Sequence, residues 1–173
     1  LQRVDGRTLG TFFREEVAGP LEADFHIGLP VSESRRVAEM DTPGRGVDEM
    51  IEAEADSVAS KTLRSCVIDG SEPSTTNWQT AEIPAAGGIG NARSISRIHS
   101  AVACGGSVDG VSLMGAATIE DALLRRTYDR DLVLGMGVPY GTGFGINHER
   151  LPLTPSEKTL YWFGWGGSLG VID

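Results

Sequence analysis

The chain contains one serine in a pattern associated with covalent catalysis. Residues 166–170 read Gly-Gly-Ser-Leu-Gly, which matches the Gly-x-Ser-x-Gly pattern of a nucleophile elbow with Ser168 at its centre. An elbow also requires a helix after the serine and an acid and a histidine later in the chain. Only five residues follow Ser168, and none is histidine. A turn or bulge therefore explains this pattern better than a catalytic side chain.

A second way to activate a serine places a lysine three residues after it, so that both side chains lie on one face of a helix. The chain has two lysines, Lys61 and Lys158, and the residues three positions earlier are Val58 and Pro155. No Ser-x-x-Lys motif is present in the sequence. Both lysines are interpreted as solvated surface residues.

The histidines and cysteines lack the spacing of a metal site. His26, His99 and His148 are isolated, without a His-x-x-x-His pair. Cys66 and Cys104 could form a disulfide or remain two buried thiols. We favour buried thiols because Cys104 ends an apolar helical stripe. The sequence implies no metal and no organic cofactor.

The charge of the chain argues against two classes of partner. Its 24 acidic residues outweigh 15 Lys plus Arg, for a formal net charge of −9. Such a surface repels phosphate backbones and anionic lipids, so we expect no nucleic acid and no membrane partner. The sequence does not define the compartment, but residues 1–6 lack a signal pattern, which favours the cytoplasm.

Two segments carry clear helix signals. Residues 8–17 place apolar side chains at helical spacing before Gly19-Pro20, and residues 91–104 begin at the capping residue Asn91 and end at Gly105-Gly106. Weaker helices are predicted at residues 47–59 and 118–126, the latter capped by Thr118, and residues 69–76 are predicted to be a loop.

Strands are predicted mainly near the carboxyl end, at residues 132–137, 140–146, 160–163 and 168–172, with one short strand at 35–40. The last two should form a hairpin joined at residues 164–167. Helices first and antiparallel strands last indicate an α+β fold. We expect residues 1–126 to be mainly helical and residues 127–173 to form antiparallel strands.

Four segments carry a wider resemblance. They are residues 6–21 (GRTLGTFFREEVAGPL), 81–98 (AEIPAAGGIGNARSISRI), 140–147 (YGTGFGIN) and 163–170 (FGWGGSLG). Together they resemble the β-lactamase-related serine hydrolases, which include class C β-lactamases, D-alanyl-D-alanine peptidases and esterases with a β-lactamase fold. The Trp-Gly-Gly variant is most similar to the esterase branch. One departure is Glu22, at a position where relatives usually carry glycine.

The resemblance implies a β-lactamase/transpeptidase-like fold and a set of site residues. Family members combine a Ser-x-x-Lys motif, a tyrosine segment and a Lys-Thr-Gly or equivalent, and only the third is present here, as Trp165-Gly166-Gly167. The strand from Trp165 would flank a bound acyl group, and the backbone N–H of Ser168 would supply one oxyanion-hole donor. Glycines permit such a close approach, and a developing oxyanion needs preorganised N–H donors.

The missing elements lead us to interpret the chain as a fragment, comprising the helical subdomain and part of the antiparallel sheet. We expect the parent protein to be an esterase that acts on a small ester or amide through an acyl-serine, with its nucleophile outside this chain. The alternatives are β-lactamase or D-alanyl-D-alanine peptidase activity, or a non-catalytic binding protein of the same fold. The isolated chain should be inactive, and its uncovered sheet edges should favour a complementary chain or self-association.

Overall fold

The computed structural model describes residues 1–40, 56–65, 71–149, 151–164 and 167–173. Their helices are α1 (Gln2–Asp5), α2 (Leu9–Phe13), α3 (Val58–Ser65), α4 (Thr76–Thr80), α5 (Ala92–Ala103) and α6 (Ala116–Ala122). A π-helix at Arg14–Ala18 continues α2, and 3-10 helices occupy Val31–Arg36 and Glu72–Ser74. The strands are β1 (Phe25–Ile27), β2 (Gly88–Gly90), β3 (Ser107–Val108), β4 (Val111–Ser112), β5 (Gly145–Ile146), β6 (Leu160–Phe163) and β7 (Leu169–Ile172).

The strands form three small antiparallel sheets. β1 pairs with β2, β3 pairs with β4, and the third sheet has the order β5-β6-β7. β6 and β7 pair along their full length, from Leu160 opposite Ile172 to Phe163 opposite Leu169. Helices together with antiparallel sheets confirm the predicted α+β class, and the predicted hairpin at the carboxyl end is confirmed.

Two apolar cores contact α5. The first, beneath the third sheet, consists of Val102, Ala122, Ile146, Leu160 and Ile172. The second follows the π-helix and consists of Ala18, Leu21 and Ala23. Val102 belongs to the first core and Ile98 packs against the second, so α5 joins the two.

The predicted helix at residues 8–17 is confirmed, as α2 and the π-helix. The Thr8 hydroxyl accepts a hydrogen bond from the Thr11 N–H at 3.3 Å, as expected of an N-cap. The distant Glu82 carboxylate accepts from the Gly10 N–H at 2.8 Å and from the Thr8 hydroxyl at 2.7 Å. These bonds, the Gly10 N–H first, hold the pKa of Glu82 below its ordinary value.

The predicted helix at residues 91–104 is also confirmed. The Asn91 Oδ1 accepts from the Ser94 N–H at 2.9 Å, and the helix ends where Gly105 and Gly106 adopt left-handed φ angles of 75° and 104°. Cys104, at this end, is an exposed free cysteine, so the expectation of a buried thiol was wrong. Cys66 lies outside the described residues.

Two predicted strands were wrong. The first was predicted at residues 35–40, but residues 31–36 form a 3-10 helix. In such a helix side chains three apart lie one above the other, and Glu33 and Arg36 form an ion pair at 2.9 Å. Residues 132–137 form a turn because Asp131 Oδ1 accepts the N–H groups of Val133 and Leu134, both at 2.8 Å. Backbone donors bound to a carboxylate are not available for a strand ladder.

Other boundaries differ from the predictions. The helix expected at residues 118–126 spans Ala116–Ala122 and begins after Gly115, so Thr118 lies inside it. The strand expected at residues 140–146 is limited to Gly145–Ile146. Most of the helix predicted at residues 47–59 lies outside the described residues. Residues 66–70, which include the start of the loop predicted at residues 69–76, also lie outside them.

Glu22 occupies a strained backbone position. Its φ is 52°, in the left-handed region that suits glycine and costs other residues about 1 kcal/mol. The preceding carbonyl, Leu21 O, accepts a hydrogen bond from Arg97 Nε of α5 at 3.2 Å, and Leu21 itself is buried. The side chain of Leu21 and the bond from Arg97 therefore hold the turn in spite of the strain at Glu22.

Glu22→Gly should stabilise the protein by about 1 kcal/mol, because it removes this strain. Urea unfolding would measure the change. The matched control is Glu120→Gly, in the middle of α6, which should destabilise by a similar amount because glycine is a poor helix former. Equal destabilisation by both substitutions would contradict the strain at Glu22.

α5 contacts β7 through a histidine. A Cβ built on Gly170 would lie 2.6 Å from the Cε1 atom of His99, so the imidazole rests directly on the strand backbone. The ring of Phe144 meets it edge-on, with centroids 6.4 Å apart. Burial in these surroundings lowers the pKa of His99 below its ordinary value, because a charged imidazole would lose solvation there.

The free energy of unfolding should fall as pH drops from about 7.5 to about 5.5, because the unfolded state takes up a proton at the ordinary histidine pKa before the folded state does. His99→Phe should reduce this pH dependence in urea unfolding. His26→Gln, which changes a histidine in a different sheet beside Asp24, should retain it. An unchanged pH dependence in His99→Phe would contradict the role of His99.

Candidate functional site

The β6–β7 hairpin places Gly167 and Ser168 at its bend. The Gly164 N–H donates to Ser168 O at 2.8 Å, and the Gly167 N–H donates to Gly164 O at 3.1 Å. Gly167 has a φ of 89°, the left-handed conformation of a glycine bulge that follows a hairpin turn. Neither of these two bonds uses the Ser168 N–H.

The Ser168 side chain is turned across the hairpin. A Cβ built on Gly164 would lie 2.3 Å from Ser168 Oγ, so the hydroxyl occupies the space that a side chain at Gly164 would need. The hydroxyl therefore lies against the backbone of the opposite strand.

Aromatic side chains adjoin this bend on β6. β5 pairs only with Leu160 and Tyr161, and the next two residues, Trp162 and Phe163, are 42% and 36% exposed. Their rings are nearly parallel, with centroids 5.2 Å apart. The Tyr140 ring lies 5.6 Å from that of Trp162. The hairpin thus carries exposed aromatic side chains at the end of β6, where Phe163 pairs with Leu169, the residue after Ser168.

Tyr140 is not poised as a base. Its hydroxyl donates to Asp131 Oδ2 at 3.3 Å, and burial, followed by the charge of Asp131, raises the pKa of Tyr140. The hydroxyl therefore stays protonated at neutral pH. This agrees with the sequence, in which the segment around Tyr140 does not match the tyrosine segment of the family.

The hairpin carries very little charge. Residues 159–173 include no lysine, arginine or histidine, and their one acidic residue is Asp173, whose Oδ1 accepts from the Thr159 hydroxyl at 2.7 Å. No cation of this segment is available to bind an anionic group of a substrate.

The structure tests other site classes only over the part of the chain that it describes. There, no three or more His, Cys, Asp or Glu side chains are grouped so that they could hold a metal ion. Every helix within the same residues is too short or too polar to cross a bilayer.

The predicted site residues divide into two pairs. Gly167 and Ser168 lie together at the bend, while Trp165 and Gly166 lie outside the described residues. β7 begins at Leu169, just after Ser168. The roles of all four residues towards an acyl group stay predictions. Sequence reasoning missed Gly164, whose importance depends on its contacts with Ser168, and Phe163, whose exposure depends on where β5 ends.

The family model described as Beta-lactamase matches residues 1–173 of the chain. The chain is 28% identical over 182 residues to "Esterase/beta-lactamase LipL" of Mycobacterium tuberculosis, an alignment that covers 98% of this chain and 41% of that protein. The match extends over the helices as well as over the hairpin.

Solved structures agree with this match. A penicillin-binding protein homologue from Caulobacter crescentus has a TM-score of 0.79 at 36% identity, with 99% of this chain and 45% of that chain covered. A family VIII carboxylesterase has a TM-score of 0.74 at 33% identity, with 99% and 45% covered. EstA from Arthrobacter nitroguajacolicus Rue61a has a TM-score of 0.79 at 26% identity, with 98% and 46% covered.

The chain thus spans less than half the length of these relatives. Its α+β arrangement is that of the β-lactamase/transpeptidase-like fold, since three solved relatives superimpose on nearly all of it. Because the family model matches from the first residue to the last, the chain belongs to the beta-lactamase family of serine hydrolases.

Proposed function

We propose that this chain is part of an esterase that acts through an acyl-serine, with the attacking serine outside residues 1–173. The observation that carries this proposal is the β6–β7 hairpin, which has Ser168 at its bend, the exposed rings of Trp162 and Phe163 at the end of β6, and no cation in residues 159–173. The absence of Ser-x-x-Lys from the sequence supports a nucleophile elsewhere in the protein.

In the proposed reaction, the serine Oγ bonds to the ester carbonyl carbon, and the carbonyl oxygen gains negative charge. The Ser168 N–H donates to this oxyanion, and Trp165, Gly166 and Gly167 flank the acyl group. Collapse of the intermediate breaks the bond to the alcohol oxygen, and the alcohol leaves with a proton. Water then cleaves the acyl-serine by the same route and releases the carboxylic acid. The family resemblance assigns the proton transfers to a lysine and a tyrosine outside residues 1–173.

The neutral hairpin favours an ester over a β-lactam. A β-lactam antibiotic carries a carboxylate, and binding a carboxylate near an apolar surface requires a paired cation. Residues 159–173 offer none, whereas the rings of Trp162 and Phe163 can cover an apolar acyl or alcohol group. The relative from Mycobacterium tuberculosis is named as both an esterase and a beta-lactamase, so the two activities must be compared directly.

The full-length protein should hydrolyse p-nitrophenyl butyrate with a kcat/KM at least about tenfold above that for nitrocefin. Absorbance assays of the two substrates under the same conditions would measure the ratio. A ratio in favour of nitrocefin would support the β-lactamase alternative. Turnover of neither substrate would support the non-catalytic binding protein.

A fluorophosphonate probe should label the full-length protein on a serine outside residues 1–173, because Ser168 contributes only its main chain. Mass spectrometry of the labelled peptides would locate the probe. The 173-residue chain alone should show no burst of p-nitrophenol and no covalent label. A stoichiometric label on Ser168 would overturn the proposed role of its amide.

A further inference from the structure

We infer that the acyl chain of the substrate binds along an apolar tip formed by Leu132, Leu134 and Met136, so that the protein acts best on esters of medium-chain acids. The inference rests on the proposed function, in which Trp165 flanks the acyl group at the end of β6. Three observations support it: the exposure of the tip, the order of its backbone, and its connection to the aromatic rings of β6.

The tip presents apolar side chains to solvent with no charge among them. Leu132, Leu134 and Met136 are 65%, 37% and 45% exposed. Residues 132–140 include no charged residue. A single exposed leucine is common on protein surfaces, whereas several apolar side chains grouped in one short segment are typical of a binding surface. The turn therefore offers an apolar surface to a ligand.

The backbone of the turn is held in one conformation by Asp131. The Asp131 N–H donates to Met136 O, and the Gly135 N–H donates to Asp131 O, both at 2.9 Å. The Asp131 carboxylate also accepts the N–H groups of Val133 and Leu134 at 2.8 Å. A surface that is ordered before binding loses less conformational entropy when a ligand binds. The tip is thus preorganised.

Tyr140 connects this turn to the aromatic side chains of β6. Its hydroxyl donates to Asp131 Oδ2 at 3.3 Å, and its ring lies 5.6 Å from that of Trp162. The Phe163 ring lies 5.2 Å from the Trp162 ring, and Phe163 pairs with Leu169 at the bend of the hairpin. Three aromatic rings therefore join the turn to the bend. An acyl chain of several methylene groups can follow these rings from the proposed oxyanion site to the tip.

This surface predicts a preference for longer acyl chains in the full-length protein. The kcat/KM for p-nitrophenyl octanoate should be at least about fivefold above that for p-nitrophenyl butyrate, because each methylene group removed from water favours binding. Leu132→Ser should lower this ratio at least about threefold, since it replaces an apolar contact with a hydroxyl. Assays of both esters under the same conditions would measure the ratio.

The matched control is Val31→Ser, in the 3-10 helix at Val31–Arg36. Val31 is 66% exposed, nearly the same as Leu132, and its substitution should leave the ratio unchanged. A wild-type preference for the butyrate would overturn the inference. An unchanged ratio in Leu132→Ser, or an equal fall in both variants, would also overturn it.

The methyl resonance of Met136 gives a readout that does not require activity. In the full-length protein labelled with 13C-methyl methionine, the neutral ketone 2-nonanone, which cannot be hydrolysed, should shift this resonance in a saturable manner. Met40 is similarly exposed, at 46%, and its resonance should not move. No shift at Met136, or equal shifts at Met40 and Met136, would contradict binding at the tip.

The inference and the proposed function fail in different ways. If 2-nonanone shifts Met136 but the wild-type protein hydrolyses no ester, the proposed function fails and the apolar binding surface stands. If both esters are hydrolysed but Leu132→Ser leaves their ratio unchanged, the inference fails alone. If hydrogen peroxide oxidises Met40 but not Met136 in the full-length protein, another part of that protein covers the tip, and the inference is overturned.

Discussion

The hydrogen bond from the Gly164 N–H to Ser168 O closes the β6–β7 hairpin, and the candidate site depends on it. An oxyanion donor is effective only when its N–H is fixed before charge develops, since reorganisation during the reaction would consume the gain. Here the arms of the hairpin supply the rigidity, because Leu160 and Ile172 at their far ends are buried in the first core. The bend itself can then remain exposed.

α5 provides the support behind this hairpin. Val102 contributes to the core beneath the sheet, His99 lies on Gly170, and Ile98 reaches the second core near Leu21. A displacement of α5 would therefore move β7 together with the turn at Glu22. The strained φ of Glu22 is tolerated within this packing, where Arg97 of the same helix binds the adjacent carbonyl.

Sequence patterns predicted the elements whose signals are local. The capping residue Asn91 and the terminating Gly105-Gly106 correctly predicted the ends of α5. The glycine-rich residues 164–167 correctly predicted the turn of the hairpin. The strand predicted at residues 132–137 was wrong because the Asp131 carboxylate accepts hydrogen bonds from backbone N–H groups of that segment. The family resemblance suggested Ser168, whereas the contact between Gly164 and the Ser168 hydroxyl joins two arms of a turn and has no signature in sequence.

The orientation of Ser168 has a consequence for how such a site can diversify. A donor carried by the main chain does not depend on the identity of the residue that bears it, so position 168 could exchange its hydroxyl for another small group and keep the hydrogen bond. The neighbouring rings of Trp162 and Phe163 belong to side chains and could vary independently. In the proposed esterase, selection for new substrates could therefore reshape the aromatic side chains while the contribution of the Ser168 amide stays the same.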